Sequence, residues 1–284
     1  MSKIGLVVEG GGMKCAYSAG VLDAFLAQNI SFDYCIGVSA GSANVASYLA
    51  NQPGRNLRFY TTHLKEPGYF GFKSYLKTHN LFGLDYIYGT LSNSDGADAL
   101  DYEELEKNPS EFVLVTTNAR TGKPTYFHKE DMKKDDYRII KASSALPAAC
   151  KPVEIGGNLY FDGGVSDSIP VKKAFEDGCD KVVVIMSKNR DFVKKPEGMR
   201  SFYTLKCHKY PKIVDLLNNR HKNYTESQRL TYKLEKEGKV FVFAPSKHLS
   251  MSTYAMDADA NHKLYDLGIE DFKDQQNKLL KFMA

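Results

Sequence analysis

The sequence predicts an α/β protein with three layers, in which helices cover both faces of a mainly parallel central sheet. Ile4 to Val8 is an unbroken apolar run with β-branched residues, as in strands that are buried on both faces of a parallel sheet. Cys15 to Gln28 has apolar residues at helical spacing, and the apolar strand Asp33 to Ile36 follows it. Together these segments have the order of a βαβ unit, from which parallel sheets are built.

The rest of the chain continues this alternation and adds an antiparallel part. Hairpins are predicted around Lys123-Pro124 and Gly156-Gly157. Apolar runs predict further strands at Glu111 to Thr117, Thr125 to His128, Leu159 to Phe161, Lys181 to Ser187 and Val240 to Ala244. Helical patterns cover Ser42 to Asn51, Arg55 to Leu64, Phe72 to Thr78, Asp135 to Ser143, Val171 to Glu176, Lys212 to Glu237 and Asp259 to Phe282. Gly83 to Asp98, rich in Gly, Asn, Ser and Asp, is predicted to leave the sheet and to form a wall of a substrate pocket.

We predict a core at residues 1–187 and a carboxyl-terminal extension at residues 188–284, made of helices and one strand. The Val240 strand can extend the same sheet, so the extension is expected to pack on the core as one domain. No linker-like composition or internal repeat divides the stretch between Gln52 and Pro147.

Composition and charge indicate a globular protein without a nucleic-acid partner. Hydrophobic residues make up 43% of the chain and the formal net charge is only +4. The apolar run after Lys3 is too short for a signal peptide, and no run reaches the length of a membrane span, so we expect a cytoplasmic location. Five widely spaced cysteines give neither a disulfide framework nor a zinc site, and no metal or other cofactor is expected.

The segment Gly37 to Gly41 has the Gly-x-Ser-x-Gly pattern of a nucleophile elbow. It stands between a predicted strand and a predicted helix, where a sharp turn exposes the hydroxyl of Ser39. Gly37 and Gly41 are expected because a side chain on either side of the serine would collide across the turn. The same five residues also suit a glycine-rich helix start with a capping serine.

A glycine run follows the first strand and is expected to lie beside Ser39. Parallel strands of one βαβ unit end at the same edge of the sheet, so the loops after Val8 and Ile36 are neighbours. Backbone N–H groups of such a loop can converge on the oxyanion of an acyl transfer reaction. The candidate donors are Gly10, Gly11, Gly12, Met13 and Lys14.

The same glycines leave a nucleotide-binding loop open as an alternative. Gly10-x-Gly12-x-x-Cys15 resembles a dinucleotide fingerprint in which the third glycine is cysteine, and no acidic residue ends the second strand. A Walker A loop needs Gly-Lys-Ser or Gly-Lys-Thr, which the sequence lacks.

Asp162 is the candidate partner of the serine, at the end of a short strand. Gly163 and Gly164 follow it and would allow its carboxylate to turn towards a neighbouring site. The competing interpretation is an Asp-Gly-Gly turn held by its own aspartate. Of the other carboxylates, Asp167 is expected to cap the next helix, and Asp98 is expected to be solvated.

Four short blocks of residues together carry a family resemblance. They are, in order, Gly10-Gly11-Gly12-Met13-Lys14 with Gly20-Val21-Leu22, Gly37-Val38-Ser39-Ala40-Gly41-Ser42, Ala142-Ser143-Ser144-Ala145-Leu146-Pro147 and Asp162-Gly163-Gly164. In this order they resemble the patatin-like phospholipases, particularly their bacterial branch, over about Ile4 to Ser187. The resemblance implies an acyl hydrolase of lipid esters, a phospholipase A or lysophospholipase, with Ser39 as nucleophile, Asp162 as its base and the Gly10 to Lys14 loop as oxyanion hole. One departure is Cys15, where the family usually has glycine.

Two alternatives to a Ser-Asp hydrolase remain at this stage, besides nucleotide binding. One is a catalytically silent protein of the same fold that binds a lipid or a partner. The other is a Ser-Asp-His triad, for which His208, His221, His248 and His262 follow Asp162, although all four are expected at the surface. The basic tract Arg200 to Lys212 is a candidate for peripheral contact with an anionic membrane surface.

Overall fold

The computed structural model describes residues 2–71, 80–248 and 256–284, and its centre is one eight-stranded sheet. The strand order is β5-β6-β3-β2-β1-β7-β8, and β4 pairs with β3. The strands β3, β2, β1, β7 and β8 run parallel to one another. The strands β4 and β6 each pair antiparallel with β3, and β5 pairs antiparallel with β6. The strand bounds are β1 Ile4–Val8, β2 Tyr34–Val38, β3 Glu111–Asn118, β4 Pro124–His128, β5 Val153–Ile155, β6 Asn158–Asp162, β7 Lys181–Ile185 and β8 Val240–Phe243.

Helices cover both faces of this sheet, as the α/β prediction requires. They are α1 Ala16–Ala27, α2 Ala40–Leu49, α3 Arg55–Tyr60, α4 Tyr102–Lys107, α5 Arg138–Ser143, α6 Val171–Glu176, α7 Arg200–Lys206, α8 Pro211–Lys236 and α9 Ala258–Met283. One apolar core lies between the sheet and α1, α2 and α9, where Phe25 and Phe243 meet edge-on. A second core lies on the opposite face, where Tyr224 and Val171 belong to the same cluster as Val184.

Most predicted elements are present, with shifts of a few residues at their ends. The largest shift concerns the helix predicted at Arg55 to Leu64, which ends at Tyr60, and the helix predicted from Asp135 begins at Arg138. The stretch predicted to leave the sheet contains a short π-helical turn, Tyr86–Thr90. The helix predicted at Phe72 to Thr78 lies outside the described residues.

The carboxyl-terminal residues contribute to the same sheet and the same core. β8 pairs in parallel with β7, and α9 crosses α1 with very little space between the two backbones. A Cβ atom on Gly20 would lie 2.0 Å from the carbonyl oxygen of Tyr265, and one on Gly268 would lie 2.3 Å from that of Tyr17. The hydroxyl of Tyr17 also donates to Asp271 at 2.9 Å. This crossing explains the glycine at position 20, and the boundary between residues 187 and 188 stays a prediction.

Candidate active site

Ser39 occupies a strained turn between β2 and α2. Its φ is 55° and its ψ is −131°, a conformation that residues with a side chain rarely adopt and that costs about 1–3 kcal/mol. A Cβ atom on Gly37 would lie 2.5 Å from the Cα atom of Ser42, and one on Gly41 would lie 2.6 Å from the carbonyl oxygen of Val8. The turn therefore has the geometry of a nucleophile elbow, and both glycines are sterically required.

A residue without a role in the sequence analysis fixes this turn from the side. The backbone N–H of Ser39 donates to Oγ of Ser143 at 2.9 Å, and that hydroxyl donates to the carbonyl oxygen of Val115 at 2.7 Å. Ser143 belongs to a block that carries the family resemblance, but no spacing rule connects it with Ser39. Only the packing of α5 against β3 brings the two residues together.

The glycine loop lies directly against Ser39. A Cβ atom on Gly10 would lie 2.9 Å from both Cβ of Ser39 and the carbonyl oxygen of Val38, and Gly12 has a φ of +55°. The amides of Gly10, Gly11 and Gly12 donate no hydrogen bond to any residue that the structure describes. Gly10, Gly11, Gly12 and Met13 all line one cavity together with Ser39.

Lys14 and Cys15 differ from the rest of this loop. The amide of Lys14 donates to the carbonyl oxygen of Gly11 at 3.2 Å, and Lys14 is absent from the cavity wall. Its N–H group is therefore engaged in the turn, and its role as an oxyanion donor stays a prediction. Cys15 is fully buried, and its thiol donates to the carbonyl oxygen of Glu9 at 3.5 Å. A Cβ atom on Gly11 would lie 2.3 Å from Oγ of Ser187 and 3.4 Å from Sγ of Cys15, so the thiol lies in ordinary contact distance of this loop. The departure from glycine at position 15 is accommodated in a fully buried site.

Asp162 reaches the same cavity from the end of β6. Val38 is paired with Val115, and the next residue of β3, Thr116, is paired with Asp162, so the sheet register brings Asp162 close to Ser39. The side chain is 1% exposed, and its Oδ1 accepts from the amide of Gly164 at 2.7 Å. The other oxygen, Oδ2, is buried and has no hydrogen bond of good geometry within the described residues.

The charge state of Asp162 depends on opposing influences. Burial raises the pKa of Asp162 above its usual value, while the positive charge of Arg220, the Ser39 hydroxyl and the Gly164 amide act in the opposite direction. A raised pKa makes a carboxylate a better proton acceptor, provided that it is ionised at the working pH. A Cβ atom on Gly163 would lie 2.2 Å from the carbonyl oxygen of Val115, which explains the first glycine after Asp162.

The cavity has a volume of about 350 Å³ and two chemically different walls. The apolar wall comes mostly from the chain between α2 and α4, and it confirms the prediction that the stretch after Gly83 borders a pocket. Its main side chains are Phe59, Tyr60, Tyr69, Phe82, Leu84, Ile87 and Tyr88. The polar wall contains Lys188, Lys194, Glu197 and Arg220, all from the carboxyl-terminal region.

Arg220 connects this polar wall to Asp162. It lies on α8, donates from Nε to the carbonyl oxygen of Gly164 at 2.9 Å, and pairs with Glu197 at 3.1 Å. Glu197 also pairs with Lys194 at 2.7 Å, and Lys188 pairs with the buried Glu9. No pattern in the sequence indicates a role for Arg220, because long-range packing alone places it beside Asp162.

Two expectations about other carboxylates are wrong. Asp98 is not solvated but 7% exposed, and it accepts a bidentate pair of hydrogen bonds from Arg58 and one hydrogen bond at 2.9 Å from His63. Asp167 does not cap α6, which begins without a side-chain cap, but accepts from the hydroxyl of Tyr126 at 2.9 Å. In both cases a residue that is distant in the sequence is the partner of the carboxylate: Arg58 and His63 take the place of solvent at Asp98, and Tyr126 takes the place of the helix end at Asp167.

The four histidines that follow Asp162 lie outside the cavity wall. His208, His248 and His262 are exposed, as expected, whereas His221 is half-buried on α8. Nδ1 of His221 is buried without a hydrogen-bond partner among the described residues. Asp162, unlike these four histidines, lines the cavity together with Ser39.

Two family models match most of the chain. The family model described as patatin-like phospholipase matches residues 6–175, which is more than half of the sequence. The chain belongs to the patatin-like phospholipase family. A second model, for a domain of unknown function (DUF6363), matches residues 210–284 and so includes Arg220 and the last two helices. Family membership supports a lipid hydrolase, and the matched residues include both Ser39 and Asp162.

Individual relatives of this patatin-like chain are distant. An uncharacterised Escherichia coli protein, YjjU, is 28% identical over 94% of the chain and 75% of its own length. A lysophospholipase, nte1, of Aspergillus terreus is 26% identical over 64% of the chain, which spans only 12% of that relative. The crystal structure of VipD from Legionella pneumophila shares the fold with a TM-score of 0.53 at 12% identity, covering 98% of this chain and 67% of VipD.

Two features are absent from the described part of this patatin-like chain. None of its described helices combines the length and the apolar composition that crossing a bilayer requires. No group of three or more His, Cys, Asp or Glu side chains with metal-binding geometry occurs in the part of the chain that the structure describes.

Proposed function

We propose that this protein is a serine acyl-ester hydrolase that acts on lipids as a phospholipase A or lysophospholipase, with Ser39 as nucleophile and Asp162 as base. The observation that carries the proposal is the strained Ser39 turn beside a buried carboxylate whose Oδ2 lacks a well-formed hydrogen bond. Family membership and a relative named lysophospholipase support the substrate class.

In the proposed reaction, Oδ2 of Asp162 accepts the proton of the Ser39 hydroxyl while Oγ attacks the ester carbonyl carbon. The resulting oxyanion is stabilised by the amides of Gly10, Gly11 and Gly12, which have no partner among the described residues. The intermediate collapses, the leaving alcohol takes the proton from Asp162, and an acyl-serine remains. Water then repeats these steps and releases the fatty acid.

The cavity walls support an orientation for the lipid. The aromatic wall suits an acyl chain, because apolar surface is removed from water when the chain enters. The polar wall with Lys188, Lys194 and Arg220 suits the more polar part of the ester. Ser39 and Asp162 line the same cavity as both walls.

The test is hydrolysis of a dissolved short-chain aryl ester and of a phospholipid panel, with the Ser39→Ala protein as blank. We expect release of fatty acid by the wild type and covalent labelling of Ser39 by a fluorophosphonate. An unlabelled wild type that hydrolyses none of these esters would instead support a catalytically silent lipid- or partner-binding protein.

A second comparison separates the dyad from a triad. Asp162→Asn is expected to abolish hydrolysis in a folded protein, whereas His221→Gln is expected to retain it. Loss of activity in any single variant of His208, His221, His248 or His262, with the fold intact, would contradict the dyad.

A further inference from the structure

Four of the five large apolar side chains that are conspicuously exposed in the described structure lie within one short segment. Val193 and Met199 are each 74% exposed, Leu205 is 71% exposed and Phe202 is 44% exposed; the fifth is Leu280 on α9. We call the exposed residues of positions 193–212 the apolar-basic surface. Such a concentration is unusual, because exposed apolar residues are normally scattered singly over a protein.

The same segment is strongly basic. Residues 193–212 contain six basic residues and one acidic residue, Glu197, and so have a formal net charge of +5. Because the whole chain has a net charge of +4, the remaining 264 residues together have a charge of −1. The positive charge of the protein is therefore concentrated where its apolar side chains are exposed. The basic residues are Lys194, Lys195, Arg200, Lys206, Lys209 and Lys212.

The packing of α7 holds this surface in a fixed orientation. Phe202 and Leu205 are three residues apart and share the outer side of the helix. On the inner side, Tyr203 and Cys207 are buried, and the Tyr203 hydroxyl donates to Asn218 at 2.8 Å. Their apolar cluster includes Phe161, the residue directly before Asp162.

The apolar-basic surface also adjoins the mouth of the catalytic cavity. Lys194 and Glu197 line the cavity, and their chain neighbours Val193 and Lys195 are exposed. A molecule that covered these exposed side chains would therefore lie next to the polar wall and Arg220.

We infer that the apolar-basic surface docks the protein onto a bilayer that contains anionic phospholipids. This inference rests on the proposed function, since it explains how a lipid ester reaches the cavity. Exposed Phe, Leu, Met and Val side chains enter the boundary between head groups and acyl chains, while lysines and arginine beside them attract the negative surface. Charge complementarity favours this occupant over a neutral lipid surface.

The test is cosedimentation with vesicles of phosphatidylcholine alone and of an equimolar mixture with phosphatidylglycerol, in the Ser39→Ala background to prevent lipid hydrolysis. We expect binding to the mixed vesicles, weakened by added salt. Phe202→Ser combined with Leu205→Ser should weaken binding by at least about tenfold, and Lys195→Glu combined with Lys209→Glu should do the same. The matched controls Leu280→Ser and Lys278→Glu should bind as strongly as the parent.

Activity separates this inference from the proposed function. With Ser39 restored, the Phe202 and Leu205 double variant should hydrolyse a dissolved aryl ester at the wild-type rate, which also shows that it is folded. A wild-type protein that binds vesicles but hydrolyses no ester would contradict the proposed hydrolase function and leave the docking inference standing. The docking inference is overturned if the parent does not bind the mixed vesicles or if both double variants bind like the parent. It is also overturned if the surface mediates self-association that the apolar double variant abolishes.

Discussion

Arg220 on the long helix α8 donates from Nε to the carbonyl oxygen of Gly164 at 2.9 Å, and Gly164 in turn donates its amide to Asp162 at 2.7 Å. The carboxyl-terminal region, which matches a different family model from the region that contains Ser39 and Asp162, thus reaches Asp162 through two hydrogen bonds. Arg220 brings a positive charge that lowers the pKa of Asp162 against the effect of burial.

We predict that Arg220→Met moves the acid limb of the pH dependence of kcat/KM to higher pH. Without the guanidinium, the raised pKa of Asp162 rises further, so less of the aspartate is ionised at a given pH. Activity near neutral pH should fall, because a protonated carboxyl cannot accept the serine proton, and should recover as the pH increases. The measurement is a pH profile of aryl ester hydrolysis.

Two variants distinguish this electrostatic role from a structural one. Arg220→Lys keeps the charge and should restore part of the profile, while Arg229→Met removes an exposed arginine from the same helix and should leave it unchanged. A uniform loss of activity at every pH in Arg220→Met would mean that Arg220 acts only through packing.

Substitution of Ser39 should separate catalysis from stability. Both Ser39→Ala and Ser39→Gly are expected to be inactive, but the glycine variant should be more stable than the alanine variant by about 1 kcal/mol, because glycine adopts a φ of 55° without strain. Urea unfolding of the two variants measures this difference. Equal stabilities would mean that the Ser39 turn is not strained in solution.

Local sequence patterns predict the Ser39 turn and the glycine loop, whereas the contacts of Ser143 and Arg220 depend on long-range packing. The sequence reveals Gly37, Gly41 and the glycine loop because these positions have no room for a side chain and therefore require glycine next to the turn. No local pattern reveals Ser143 or Arg220, since they reach Ser39 and Asp162 from segments more than 50 residues away in the chain. The solvation of Asp98 was predicted wrongly for the same reason: its partners become visible only in three dimensions.

Ser143→Ala should weaken both the fold and the reaction. It leaves the amide of Ser39 without its acceptor and the carbonyl oxygen of Val115 without its donor, at a cost of about 1–3 kcal/mol. The kcat should fall because the Ser39 turn is less firmly held, while KM changes little. Thermal unfolding and steady-state kinetics on the aryl ester check the two effects. A Ser143→Ala protein with wild-type stability and full activity would show that the Ser39 turn is held by its glycines alone.

The buried ion network behind the apolar wall is expected to control stability in acid. Asp98 lies among Arg55, Arg58 and His63, and Arg55 is itself 5% exposed and lines the cavity. Burial raises the pKa of Asp98, but hydrogen bonds from Arg58 and His63 and the charge of Arg55 outweigh it, so the pKa is lowered. A carboxyl with a lowered pKa stabilises the fold above its unfolded pKa, and this contribution is lost as the pH falls through the folded value.

Asp98→Asn should therefore reduce the free energy of unfolding at neutral pH by about 3–5 kcal/mol, because it leaves the Arg55 charge buried without its counterion. The difference from the wild type should shrink as the pH falls below about 4, where the carboxylate of the unfolded chain becomes protonated, and should disappear once the pH is below the lowered pKa of the folded state. Urea unfolding across this pH range measures it, with Asp95→Asn as an exposed control in the same stretch. A difference that stays constant with pH would mean that Asp98 stabilises the wall through its shape and not through its charge.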